Sequence, residues 1–188
     1  MFVYVIRHGQ SETNVSHVWT GWRDVMLTDK GVQDAHKAGE YLNNVSFDKV
    51  FSSDLTRAYR TAQIALPNYE IEQSKELREI NVGTLSGQPH ECLTKEERAC
   101  ASLVGYAQYE GESKEDMNER IRTFMKKMEL LDYGKIAVFS HAGWLRGMLD
   151  IVTGIKQPRN IIHCDNCAIS IYEYKNGKWR LWSWINPM

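Results

Sequence analysis

Two histidines and two arginines stand at or shortly after the ends of short apolar runs. Arg7 and His8 follow FVYVI, Arg57 comes a few residues past KVFS, and His141 follows IAVFS. Guanidinium forks match phosphate oxygens in paired, charge-assisted hydrogen bonds, and an unprotonated imidazole is a competent nucleophile toward phosphorus. The chemistry such a set could do is phosphate binding or phosphoryl transfer, provided the fold brings the separate segments to one place.

The elements that would position them are legible in outline. Phe2 to Ile6, Lys49 to Ser52 and Ile136 to Ser140 are short, β-branched apolar runs, which suit strands buried on both faces of a parallel sheet. Ala168 to Tyr174 and Lys178 to Trp184 flank Asn176-Gly177, a hairpin signal. Thr28 caps a predicted helix to about Asn43, with Val32, Ala35, Gly39 and Leu42 along one face. Asp54 begins a second predicted helix through Leu66, and Ser113 with Asp116 opens a third through Leu131. A fourth follows Ser140 and stops near Gly154. Strands alternating with helices predict a three-layer α/β/α sandwich around a mostly parallel sheet. In such sheets ligands bind beyond the carboxyl ends of the strands, where Arg7, His8, Arg57 and His141 would meet. Residues 84–112 break the rhythm and are read as a small helical lid insertion.

The whole-chain properties bound the class. At 188 residues, 43% of them hydrophobic, the chain is expected to form a single domain over 1–188. A formal net charge of -1 gives no general attraction to nucleic acid or anionic membrane, so positive charge must be concentrated locally. The apolar run after Met1 is too short for a signal peptide, and no stretch approaches the roughly 20 apolar residues that span a bilayer. A cytoplasmic setting with free thiols is the expectation for the four cysteines. The oligomeric state is open, a homodimer included.

The run Arg7-His8-Gly9-Gln10-Ser11-Glu12-Thr13-Asn14 resembles the signature of the histidine phosphatase superfamily, in its phosphoglycerate-mutase-like branch. The resemblance continues through Gly21, Asp24, Leu27-Thr28 and Gly31, then Ser52 to Ala58 with Thr61-Ala62. It includes Leu77-Arg78-Glu79 with Gly83 and Gly87, then Ser140-His141-Ala142-Gly143, Asn166 and the C-terminal hairpin. What it implies is a small phosphorylated metabolite as substrate, with no metal and no cofactor. His8 would attack phosphorus and become a phosphohistidine. Arg7, Arg57 and His141, the last as an imidazolium, would hold the phosphoryl oxygens, and Asn14 would add a neutral donor. Glu79 would protonate the leaving oxygen and later activate water. Ala142 replaces the first glycine of the family's usual Gly-Gly but keeps its backbone N–H for the phosphate.

Two enzymes share that core. Trp19-Thr20-Gly21-Trp22-Arg23-Asp24 is similar to the substrate-holding segment of cofactor-dependent phosphoglycerate mutases, which makes Thr20 and Gly21 substrate-binding candidates. The mutases carry an Asn-Glu-Arg-His-Tyr-like stretch where this chain reads Arg78 to Val82, and a longer insertion with adjacent arginines. Fewer anion-binding groups and a shorter lid favour water as the final acceptor, hence a phosphomonoesterase. A non-catalytic phospholigand-binding protein is the third reading; it is disfavoured because His8, Arg57, Glu79 and His141 are all present.

Other chemistry-bearing residues have plainer readings. Cys164-x-x-Cys167 lacks a second ligand pair at zinc spacing and opens a strand, so it is read as structural. Ser11 and Thr13 suit capping or turn roles, and Lys95 to Arg98 an exposed helix face. His17, His36, His90 and His163 are read as surface or supporting groups, and the tryptophans at 179, 182 and 184 as packing groups on alternating strand faces.

Overall fold

A computed structural model describes residues 1–156 and 162–187. Its strands are β1 (Phe2–Arg7), β2 (Lys49–Ser53), β3 (Ile71–Ser74), β4 (Lys135–Ser140), β5 (Ile169–Lys175) and β6 (Lys178–Ile185). They form one sheet in the order β3-β2-β4-β1-β5-β6. The first four run parallel, β5 lies antiparallel to β1, and β6 closes the edge as an antiparallel hairpin. Asn176 and Gly177, with φ of 52° and 71°, make the tight turn, a conformation that suits precisely this residue pair.

The helices are α1 (Glu12–Val15), α2 (Asp29–Leu42), α3 (Thr56–Ala65), α4 (Lys95–Val104), α5 (Lys114–Glu129) and α6 (Ala142–Thr153). Strand alternation sorts the core into two layers. Val3, Val5, Ile136 and Val138 point to the side where Met117, Ile121, Phe124 and Met128 of α5 and Trp144, Leu145 and Met148 of α6 pack. Ile6, Ala137 and Phe139 point to the other, against Ala38 and Leu42 of α2 and Ala62 and Ala65 of α3. The expected α/β sandwich is the observed fold. The 84–112 excursion carries α4 between short 3-10 turns and packs on its own small cluster of Val82, Leu85, Leu93, Ala101 and Tyr106.

The local start signals act as read: Thr28 accepts from Gly31 N–H, and Ser113 and Asp116 form a reciprocal capping box. Three readings need correction. Helix α3 starts at Thr56 rather than Asp54, because both Asp54 carboxylate oxygens are taken by Arg78 at 2.7 and 2.6 Å. The cap comes instead from Asp24, which accepts from Thr56 N–H at 2.8 Å and from its hydroxyl at 2.6 Å. Strand β3, sequence IEQS, escaped the sequence reading because an edge strand buried on neither face has no apolar run. Trp182 packs its ring edge-on against Phe2 at 5.4 Å yet is 64% exposed, because it is the residue left out where the register shifts between Ile171 and Tyr172.

Candidate active site

The parallel register brings the ends of β1 and β4 level. Arg7 pairs with Ser140, and His8 N–H donates to Ser140 O at 2.9 Å, so His8 and His141 emerge side by side. Their ring centroids are 5.2 Å apart. Strand β2, beside β4, delivers Ser53 and then Arg57 at the second position of α3. Convergence at the carboxyl edge of the sheet is thus realised.

His8 is 4% exposed, and its Nδ1 lies 2.7 Å from Gly9 O. A carbonyl can only accept, so Nδ1 carries the ring hydrogen and Nε2 keeps its lone pair. Burial, then the nearby charges of Arg57 and Arg7, hold the imidazole well below its usual pKa, so it stays neutral. The loop behind it is pinned: Gly9 N–H donates to Thr61 at 3.0 Å, and Asn166 Nδ2 to His8 O at 3.1 Å.

His141 departs from expectation. Its Nε2 lies 2.9 Å from Ser53 Oγ, which also accepts from Leu55 N–H. Burial and the charge of Arg57 hold this ring, too, well below its usual pKa, so the unliganded site has a neutral imidazole there rather than an imidazolium. His141 Nδ1 is buried with no hydrogen-bond partner among the described residues.

Arg57 is 2% exposed, and burial pulls it down to about 10, still charged at neutral pH. It donates to Gly21 O at 2.9 Å and Arg23 O at 3.0 Å, which anchors the guanidinium in the loop before α2. Arg7 Nη1 donates to Cys164 O at 2.6 Å, while Arg7 Nε is buried and, among the described residues, unpartnered. Asn14 Oδ1 accepts from Ser11 N–H and Asn166 Nδ2, both at 3.1 Å, which leaves the Asn14 NH₂ as its donor.

Glu79 is held by two backbone amides, Ile80 N–H to Oε1 at 2.9 Å and Gly143 N–H to Oε2 at 3.1 Å. Its segment is strapped by Arg120 in α5, which donates to the carbonyls of Glu76 and Arg78 at 2.8 Å and of Glu79 at 3.2 Å. Arg120 and Ser53 were not singled out from sequence; an arginine on a charged helix and a serine ending a strand carry no local mark of these partners. Thr20 donates to Thr13 at 2.7 Å, and Gly21 O accepts from Arg57 at 2.9 Å. Ala142 opens α6 without a positive φ, so its backbone is unstrained. Cys164 and Cys167 are buried free thiols, and burial pushes Cys167 up to about 12. Among the described residues no His, Cys, Asp or Glu side chains gather in a group that could hold a metal ion. No described helix is long and apolar enough to cross a membrane.

Residues 3–187 match the histidine phosphatase superfamily (branch 1). The chain belongs to that superfamily. A Salmonella arizonae protein named "Probable phosphoglycerate mutase GpmB" is 29% identical over 192 residues, covering 97% of this chain and 89% of that protein. The histidine phosphatase fold is shared with the alpha-ribazole phosphatase from Shigella flexneri, at a TM-score of 0.87 and 24% identity over 100% of this chain and 97% of that one. It is shared equally with a mycobacterial glucosyl-3-phosphoglycerate phosphatase solved with VO3, at a TM-score of 0.88 and 22% identity over 97% and 98%. At these identities the two structures speak for the fold alone.

Proposed function

We propose that this histidine phosphatase superfamily member is a metal-independent phosphomonoesterase acting on a small phosphorylated metabolite through a phosphohistidine. The observation that carries the reading is a pair of buried, unpartnered nitrogens close to a buried imidazole lone pair. Arg7 Nε and His141 Nδ1 lack partners among the described residues, the rings of His8 and His141 stand 5.2 Å apart, and the charge of Arg7 acts on His8. A buried polar atom left without a partner costs about 1–3 kcal/mol, and phosphoryl oxygens would satisfy both once His141 carries a hydrogen on Nδ1.

In this reading Nε2 of His8 attacks phosphorus as the bond to the ester oxygen breaks, and Glu79 delivers a proton to that oxygen. Water then attacks the phosphohistidine, Glu79 takes its proton, and phosphate leaves with His8 restored. Arg7, Arg57, the Asn14 amide, neutral His141 and the Ala142 N–H meet the equatorial oxygens, the fixed donors offsetting charge in the transition state. Thr20 and Gly21 contribute by holding Thr13 and Arg57. Once a phosphate dianion is bound, His141 gains reason to take up a proton.

A phosphoglycerate mutase is the second reading, favoured by the name of the 29% identical relative. One assay separates them: phosphate release and phosphoglycerate interconversion, with chelator present and with or without 2,3-bisphosphoglycerate. Phosphate release that persists in chelator supports the esterase. Rapid interconversion with little free phosphate supports the mutase, and complete loss in chelator removes the metal-free mechanism.

A further inference from the structure

A cavity of about 450 Å³ opens between α4, α5 and α6, within the roughly 300–1,000 Å³ of pockets that enclose a whole small ligand. Ile80, Val104, Tyr106 and Met117 give it apolar walls, and Lys114, Arg146 and Lys156 bring positive charge to the same lining. Two of its lining residues tie it to Glu79, because the N–H groups of Ile80 and Gly143 are the two donors to that carboxylate. Met117 Cε also lies 3.3 Å from the position a Gly143 side chain would take. Glu79 therefore borders this cavity on one side, and its charge reaches Arg57 on the other.

A buried acceptor in the lining finds no donor among the described residues. Asn118, 8% exposed and part of the lining, has a buried Oδ1 without a hydrogen-bond partner among the described residues. An acceptor buried beside apolar walls is satisfied by a hydroxyl or N–H brought in by a ligand.

We infer that this cavity receives the alcohol portion of the substrate, and that the substrate is a phosphate monoester of a bulky alcohol. That alcohol has an apolar face and a hydroxyl or N–H donor that reaches Asn118 Oδ1. The inference deepens the esterase reading and rests on it. With phosphorus beside His8 and the bridging oxygen at Glu79, the carbon side of the ester lies beyond Glu79, where the cavity begins. A three-carbon acid would leave most of the volume unfilled.

The test is a kcat/KM series on the full chain with uridine 5′-monophosphate, 2-naphthyl phosphate, 3-phosphoglycerate and glycerol 3-phosphate. The two bulky esters should exceed the three-carbon esters by about tenfold or more. Ser102→Trp, at a partly exposed lining position on α4, should cut the bulky-to-small ratio by about fivefold or more. Asn118→Leu should lower the ratio of the uridine ester, which carries donors, to the naphthyl ester, which has none. Phosphate release with equal or greater kcat/KM for the three-carbon esters, or ratios unmoved in both variants, overturns the cavity assignment and leaves the esterase reading standing. No phosphate release from any ester overturns both.

Discussion

Glu79 and Gly143 meet in a space that only a glycine leaves open: Gly143 N–H donates to Glu79 Oε2 at 3.1 Å, and a methyl group on Gly143 would overlap Glu79 Oε1. The second position of α6 thus sets where the carboxylate stands. Alanine is at home in a helix, so a change here tests the position of the carboxylate more than the stability of the helix. Gly143→Ala should lower kcat by about 10²-fold, the lower range of general acid–base assistance. If Glu79 protonates the leaving oxygen, alkyl phosphates should lose more than nitrophenyl phosphate, whose leaving group needs no proton. Equal losses on both would remove Glu79 from that role.

His8→Ala should abolish phosphate release, by about 10³-fold or more, and with it any acid-labile phosphoryl-enzyme. Rapid quench followed by phosphate mapping reads this directly. A covalent phosphoryl group found on another residue would sink the assignment.

Arg57→Lys keeps a positive charge but cannot span the carbonyls of Gly21 and Arg23 while also facing phosphate. The expected result is a fall in kcat/KM of about 10²-fold, with weaker inhibition by vanadate. A near-normal lysine variant would show that charge alone suffices.

The depressed imidazoles of His8 and His141 fix the sign of a pH effect. Both stay neutral when folded but take up protons near pH 6.5 when unfolded, so the unfolded chain binds more protons below that pH. Stability is therefore full above about pH 6.5 and falls as pH drops toward the lowered folded values. Melting temperatures from pH 7.5 to 5 should show this decline, and His141→Gln should flatten it. In kinetics, the acid limb of kcat/KM should lie below the ordinary histidine range and move upward in the Arg57→Lys or Arg7→Gln variants only where they remove nearby charge, hence in Arg7→Gln.

Asn166 donates to both His8 O and Asn14 Oδ1, so it aligns the nucleophile's backbone with a phosphate donor. Asn166→Ala should reduce kcat/KM by about tenfold, the loss of one well-placed hydrogen bond or somewhat more. The fold should persist, and thermal melting with circular dichroism is the control. A loss seen only in stability would make Asn166 a purely structural residue.

By itself the sequence determined the layers and the edge where chemistry gathers. β1 and β4 announce themselves because a strand buried on both faces must be apolar throughout, and their ends place Arg7, His8 and His141. Thr28, the Ser113-Asp116 box and Asn176-Gly177 act within a few residues of themselves, so their signals are local and readable. Only the tertiary structure decided which partner each polar group takes. Asp54 reads as a helix start until Arg78, 24 residues on, occupies both of its oxygens, and Asn166 reaches His8 across 158 residues. His141 is neutral for the same reason, since desolvation and the field of Arg57 depend on what surrounds a ring in space. Periodicity and capping are properties of a segment; burial and pairing belong to the packed chain.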